Sequence, residues 1–234
     1  MERTEREMQH AAAVREMFSG IASRYDLLNH LLSLNIDKRW RRRVRNKLSD
    51  ILRDPNAIVL DVACGTGDLT IELANDTSAK VVGTDFCRPM LEIAAEKAVA
   101  IPFFEGDAMN LSFASDTFDA VTIAFGLRNL SNFADGLTEL FRILKPGGKL
   151  VILEFSSPTI PGFRSLFSFY FSRVLPRIGG VVSGSRGAYE YLPDSVSKFP
   201  DQSSLASLMS NTGFGSVEFE NLTGGIAAIH VGVK

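Results

Sequence analysis

The sequence predicts an α/β fold: a mostly parallel sheet, closed by an antiparallel last strand and preceded by an N-terminal helical extension. Three observations predict it. Short β-branched runs alternate with helical stretches between residues 57 and 155, and strand-helix-strand order implies parallel neighbours. The first run, Val59 to Val62, passes through an acid into a turn bracketed by Gly65 and Gly67, the kind of turn that carries a ligand at the carboxyl end of a strand. Near the end, two apolar runs are separated by Leu222-Thr223-Gly224-Gly225, which reads as a hairpin.

Taken in order, the chain begins with a helical region to about Asp54. Strands are expected near 57–63, 80–84, 101–105, 118–124 and 149–155, and helices near 67–76, 88–98 and 133–145 separate the first five of them. The third helix has its stop in Lys145-Pro146-Gly147-Gly148, a proline and glycines just past the last helical turn. A helix near 203–212 then leads to the hairpin strands, 215–221 and 226–233. Neither internal repeats nor low-complexity linkers break this Rossmann-like pattern.

The turn after the first strand reads Cys64-Gly65-Thr66-Gly67-Asp68-Leu69-Thr70. A dinucleotide site usually has a third glycine where Thr70 stands, and a P-loop has Lys followed by Ser or Thr after its last glycine, so neither phosphate motif is complete. Asp61, Asp68, Asp85 and Asp107 all fall at or just beyond expected strand ends. Their charges would repel a phosphate and suit a cation, and S-adenosylmethionine, with a sulfonium, an ammonium and no phosphate, meets that requirement. Asp85, 18 residues after Gly67, is placed to accept both hydroxyls of a ribose, with Phe86 adjoining it. Asp107 and the backbone N–H of Ala108 could grip the amine and ring nitrogen of adenine. The cofactor side is therefore expected to be Asp61, Gly65, Thr66, Gly67, Asp85, Phe86, Asp107 and Ala108. Acids in such loops also serve as helix N-caps, a reading about as good for Asp61 or Asp68 alone and weaker for the whole set.

Composition agrees with an enzyme of this kind. At 234 residues and 45% hydrophobic content, the chain can bury a substantial core as one enlarged domain. A net charge of −2 argues against wholesale nucleic-acid binding. The charged start, residues 1–7, has no apolar h-region, and no run approaches the ~18 apolar residues of a membrane helix, so neither a signal peptide nor a span is expected. Two cysteines, Cys64 and Cys87, read as small packing residues of a reduced, cytoplasmic protein. The three histidines, His10, His30 and His230, are scattered, and no metal site is expected.

The motifs also carry a resemblance. The stretches Met17-Phe18 through Tyr25-Asp26 to Asn29, Trp40-Arg41-Arg42, Asp61 to Asp68, Phe125-Gly126-Leu127-Arg128-Asn129, Arg142 to Gly148, Leu153-Glu154-Phe155-Ser156, Val174-Leu175-Pro176, Tyr189 with Tyr191-Leu192, and Leu222 to Ile226 followed by Ala228-Ile229-His230 run nearly end to end. In them the chain resembles the S-adenosylmethionine-dependent quinone C-methyltransferases of menaquinone and ubiquinone biosynthesis. The Lys-Pro-Gly-Gly turn is common to many methyltransferases; Phe-Gly-Leu-Arg-Asn, Tyr-Asp and Leu-Thr-Gly-Gly-Ile are specific. The resemblance implies the class I S-adenosylmethionine-dependent methyltransferase fold, seven strands in the order 3-2-1-4-5-7-6, with cofactor contacts at Thr66, Asp85, Asp107 and Ala108. It divides the chain into an extension, 1–54, that caps the substrate, and a methyltransferase domain, 55–234. Two positions depart from it: Ala124 stands where some relatives have a cofactor-binding serine, and Asp37 stands where relatives often have a histidine.

The implied reaction methylates a ring carbon of demethylmenaquinol, or of a prenylated methoxy-benzoquinol in ubiquinone biosynthesis. A hydroquinone carbon becomes a good nucleophile when a neighbouring hydroxyl loses its proton, and the enzyme must favour that anion and hold the carbon in line with the methyl group. Arg128, Tyr189 and Asp26 are the candidates for catalysis, and Tyr25, Asn29 and Asn129 for substrate binding. Each has a competing structural reading: Arg128 pairing with an acid to fix its loop, the tyrosines packing with satisfied hydroxyls. Phe155, Phe163, Phe167, Phe169, Tyr170 and Phe171 are suited to a prenyl tunnel or a membrane-facing flap, and equally to an aromatic core. Lys38, Arg39, Arg41, Arg42, Arg43, Arg45 and Lys47 around Trp40 suit anionic headgroups at a membrane surface, with a solvated helix face as the alternative. Expected partners are thus a prenylated quinol, peripheral membrane contact at the inner face, and a homodimer or biosynthetic assembly. Two other classes compete: an RNA or protein methyltransferase using the basic stretch, and a cofactor-binding scaffold without activity.

Overall fold

In the computed structural model, residues 4–26, 33, 35–160 and 186–234 are described. Asn29 and the aromatic residues between 163 and 171 lie outside that set, as does the side chain of Tyr189.

A seven-stranded sheet organises the chain, in the order β3-β2-β1-β4-β5-β7-β6. Its strands are β1 (Ile58–Val62), β2 (Lys80–Asp85), β3 (Phe103–Glu105), β4 (Phe118–Ala124), β5 (Leu144–Phe155), β6 (Ser216–Leu222) and β7 (Ala227–Val233). β1 to β5 pair in parallel, while β7 runs antiparallel to both β5 and β6. The expected class and strand order are both present.

Helices cover the two faces: α1 (Glu5–Ile21), α2 (Ile36–Lys47), α3 (Asp68–Ala74), α4 (Arg88–Lys97), α5 (Phe133–Ile143), α6 (Arg186–Lys198) and α7 (Gln202–Thr212). The period of two along the strands splits the core. Leu60, Val62, Val121, Ile123, Leu150 and Ile152 pack beneath α5 and α7. Val59, Ala120, Val151 and Leu153 pack beneath α2 and α3. Trp40, Val44 and Leu48 bring α2 into this second core layer, because the helix places its apolar residues four apart and turns Lys38, Arg39, Arg42 and Arg43 outward. α1 begins with a capping box: Thr4 accepts from the Glu7 N–H and the Glu7 carboxylate accepts from the Thr4 N–H, satisfying donors that would otherwise be orphaned.

Three elements differ from the expected pattern. α5 stops at Ile143 and Leu144 already bridges Phe118, before a register shift after which β5 resumes pairing at Lys149, so the strand starts five residues early. β3 is confined to three residues, since Pro102 has no N–H to offer the ladder. α6 was not expected; it carries Pro193 in its interior, where a proline ordinarily breaks a helix.

Candidate active site

The carboxyl ends of β1, β2 and β4 open into a solvent-connected cavity lined by the loops that follow them. Its position follows from topology: β2 lies on one side of β1 and β4 on the other, so their loops diverge and leave a crevice. Ala63 and Phe125, immediately past β1 and β4, have φ of 52° and 55°, a left-handed conformation that costs a side-chain-bearing residue roughly 1–2 kcal/mol. Gly126 is required between them, because a Cβ there would sit 2.5 Å from that of Ala63. Helix α1 roofs the cavity through Ala11 and Phe18.

Asp85 lies at the centre of the charged end. One carboxylate oxygen accepts from the Gly65 N–H and the other from the Cys87 N–H, each at 2.8 Å. Burial pushes its pKa up, and those N–H groups and the nearby Arg15 oppose the shift. Gly65, Phe86, Asp107 and Ala108 line the same cavity, as expected. Asp107 holds the Met109 N–H through one oxygen at 3.0 Å. Among the described residues, Asp85 and Asp107 are the only charged ones in the lining. That set fits a cofactor with hydroxyls, an amine and positive charge, and among the described residues the lining offers no cation to a phosphate.

Asp61, Thr66 and Gly67 lie behind this surface. Asp61 is buried beneath α3, where its two oxygens accept from the hydroxyls of Thr70 and Thr122, both at 2.7 Å. It shares the strand face of Val59, which points to α3, so it ties β1 to β4 and to the helix after the turn. Gly67 (φ 83°) caps that helix and would carry a Cβ 3.1 Å from Ala94. The Thr66 hydroxyl donates to Asp26.

Burial also sets the titration of Asp61, whose pKa rises from 3.8 to about 6, with its two hydroxyl partners opposing. Because the folded value lies above the unfolded one, the folded state binds more protons between them, and stability falls as pH rises through about 4 to 6. The shift corresponds to about 3 kcal/mol. Asp61→Asn is expected to gain about 2 kcal/mol of that relative to the wild type between pH 4.5 and pH 8 in denaturant titrations. Parallel stability profiles for the two proteins would contradict this.

The substrate-side expectations divide. Tyr25 lines the cavity, edge-on to Phe18 at 5.9 Å, and so does Asn129. Asp26 does not: besides Thr66 it holds Lys97 at 2.9 Å, and Lys97 in turn holds Asp68. Arg41 bridges Asp68 and Asp37, at 3.1 and 2.7 Å. Burial disfavours the Lys97 charge, yet bonds to Asp26 and Asp68 outweigh it and raise the pKa. This ionic chain fastens the segment after α1 to α3 and α4.

Arg128 pairs with an acid. It is absent from the cavity lining; its guanidinium donates to Glu154 at 2.8 Å and to the Phe125 carbonyl, over the Phe155 ring at 5.4 Å. Glu154 is 2% exposed and also accepts from the Arg128 and Phe155 N–H groups. Burial raises its pKa against the pull of Arg128. A buried carboxylate needs a counter-charge, and Arg128 supplies it from the loop that borders the cavity.

Two residues not singled out for the site converge on it. Tyr191 on α6 places its hydroxyl 3.2 Å from Asn129 Oδ1, and His10 on α1 places Nε2 3.2 Å from the Asn129 carbonyl. The sequence directed attention to Tyr189 on the same helix, and His10 has only its place one residue before Ala11 to mark it.

Residues 4–234 match the model of the ubiE/COQ5 methyltransferase family. The chain is 51% identical over 221 residues to a Thermus thermophilus protein named demethylmenaquinone methyltransferase, covering 92% of this chain and 99% of that one. Its identity to a Deinococcus radiodurans protein of the same name is 48%, with 95% and 92% covered. A Geobacter sulfurreducens protein named ubiquinone/menaquinone biosynthesis C-methyltransferase UbiE is 47% identical, with 94% and 88% covered. Among solved structures, a Thermotoga maritima SAM-dependent methyltransferase superposes with a TM-score of 0.66 at 18% identity over 94% of this chain and 99% of that one, a likeness of fold. The family match spans the cavity loops, the α1 roof and the β6–β7 hairpin alike: this chain belongs to the ubiE/COQ5 methyltransferase family.

Proposed function

We propose that this chain transfers a methyl group from S-adenosylmethionine to a ring carbon of demethylmenaquinol, giving menaquinol. The observation that carries the reading is near full-length similarity, at 48% and 51% identity, to proteins named demethylmenaquinone methyltransferase. The cavity's chemistry agrees with it. Asp85 would hold the ribose hydroxyls and Asp107 with Ala108 the adenine, while the Gly65 backbone lets the cofactor approach closely. When bound, the cofactor supplies an electrophilic methyl group on a sulfonium. Phe18, Tyr25, Phe86, Met90, Phe125 and Leu130 in the lining suit an aromatic ring and exclude water from it. Asn129, whose side-chain amide donates to the Phe125 carbonyl, could meet a ring oxygen as its proton leaves, and with Tyr25, Asn29 and Tyr189 it forms the substrate side of this reading.

The test is transfer of labelled methyl to chemically reduced demethylmenaquinone and, separately, to a reduced prenylated methoxy-benzoquinone. Product from the naphthoquinol is expected. The name of the Geobacter relative favours a second reading, in which both rings are methylated. Absence of product from either, with cofactor bound, would overturn both. Among the described residues no helix is long and apolar enough to cross a membrane. In this reading a prenylated quinol is met at the membrane surface. Lys38, Arg39 and Arg42 are exposed on α2 and suit anionic lipid. Turnover is therefore expected to be faster with quinol in vesicles containing anionic lipid than in neutral ones; equal rates would remove the surface contact.

A further inference from the structure

We propose that Tyr191 is a positioning residue for methyl transfer, acting through Asn129, and that it works with His10 to couple the α1 and α6 roof to the reacting ring. The inference rests on the reading of this cavity as a quinol site.

The hydrogen bonds around Asn129 admit one arrangement. The Phe125 carbonyl can only accept, and it lies 3.3 Å from Asn129 Nδ2, so the amide nitrogen faces Phe125. Oδ1 then faces Tyr191, and the phenol donates to it at 3.2 Å. Burial raises the Tyr191 pKa, which keeps that proton in place. One Nδ2 hydrogen goes to Phe125; the other has no acceptor among the described residues, on a side chain that lines the cavity. The amide is thereby held with a spare N–H donor for a ring oxygen, and such a donor gains strength as that oxygen acquires negative charge.

His10 fixes the backbone of the same residue. Because the Asn129 carbonyl accepts only, the ring nitrogen 3.2 Å away carries the hydrogen. A bond from α1 and a bond from α6 thus meet on one residue of the turn Leu127–Asn129. Arg128, committed to Glu154, supports the arrangement from below through the Phe125 carbonyl that both it and Asn129 use. The oxyanion-facing donor is therefore assigned to a neutral amide whose direction is set by Tyr191. A fixed dipole of this sort needs no reorganisation when charge develops.

A double-mutant cycle on the full chain tests this, using Tyr191→Phe, Asn129→Ala and the pair, with kcat and KM for the quinol and the affinity for S-adenosylhomocysteine. Tyr191→Phe is expected to lower kcat about tenfold, the scale of one neutral hydrogen bond, with cofactor affinity unchanged. In the Asn129→Ala background the same change is expected to cost nothing further, since the residue through which it acts is gone. Additive effects, or wild-type kcat in Tyr191→Phe, would overturn the proposal. A second readout does not need turnover: the Asn129 side-chain amide, resolved by isotope labelling, is expected to show one exchange-protected N–H, and a new side-chain amide shift in Tyr191→Phe. An unchanged spectrum overturns the positioning role even if the quinol is not the substrate. A wild type without activity but with the expected spectrum refutes the assigned reaction and leaves the Tyr191–Asn129 contact established.

Discussion

Asp85→Ala is expected to weaken binding of S-adenosylmethionine by about a hundredfold or more while leaving a folded protein. The carboxylate stands at the carboxyl end of β2, in the cavity, and is one of two charged groups that the described residues place in the lining. A hydrogen bond to a charged group contributes about 1.5–3 kcal/mol, so losing two ribose contacts removes roughly 3–6 kcal/mol before compensation by water. The variant also strands the Gly65 and Cys87 N–H groups that now donate to Asp85, at a cost of about 1–3 kcal/mol in stability. Asp85→Asn separates these effects, since an amide oxygen still accepts from one N–H. Calorimetric titration with S-adenosylhomocysteine reads the affinity and thermal unfolding reads the fold. Affinity within about threefold of wild type in both variants would remove Asp85 from the cofactor site.

The acidic end of the cavity, at Asp85 and Asp107, was more legible in the sequence than the end at Asn129, for a physical reason. Asp85, Asp107 and Gly65 lie at strand ends in βα turns, and the period-2 strands with their turn glycines are local signals. Arg128, Tyr191 and His10 take their roles from residues 26, 62 and 119 positions away, where no local pattern reaches. Part of that was nonetheless readable. Glu154 follows Leu150-Val151-Ile152-Leu153, and a lone acid in an apolar strand demands a cation. Applied to β5, that demand would have directed Arg128 inward. Asp61 shows the converse: a strand-end acid was grouped with the cofactor set by spacing, yet its parity with Val59 turns it toward Thr70 and α3. The hairpin and the sheet order followed from the runs and from the family resemblance, whereas α6, with Pro193 in its interior, was not expected.

Glu154→Ala is expected to be the most destabilising of these changes, and its consequence reaches the cavity. The pair with Arg128 has side-chain exposures of 2% and 6%. Breaking such a pair from one side leaves an uncompensated buried charge and costs about 3–5 kcal/mol. Arg128→Met leaves the opposite charge behind and is expected to cost a similar amount at neutral pH, with a distinct pH dependence. Burial already raises the Glu154 pKa, and Arg128 opposes it; without the arginine the folded-state pKa rises further above the unfolded value. The folded protein then binds the extra proton, so the Arg128→Met variant loses stability as pH rises from the ordinary glutamate range through the raised value, more steeply than the wild type. Replacing both, as Arg128→Met with Glu154→Leu, is expected to recover most of the stability, because apolar groups of similar volume can substitute for a buried ion pair. Activity is not expected to return with it: the Phe125 carbonyl loses its guanidinium donor, and the loop carrying Asn129 loses the bond that sets its height in the cavity. Denaturant unfolding of the three variants between pH 5 and pH 8, alongside kcat for the quinol, separates the two roles. A double variant with wild-type kcat would show that the pair contributes stability alone; one that stays as unstable as the single variants would show that the site cannot be repacked without charge.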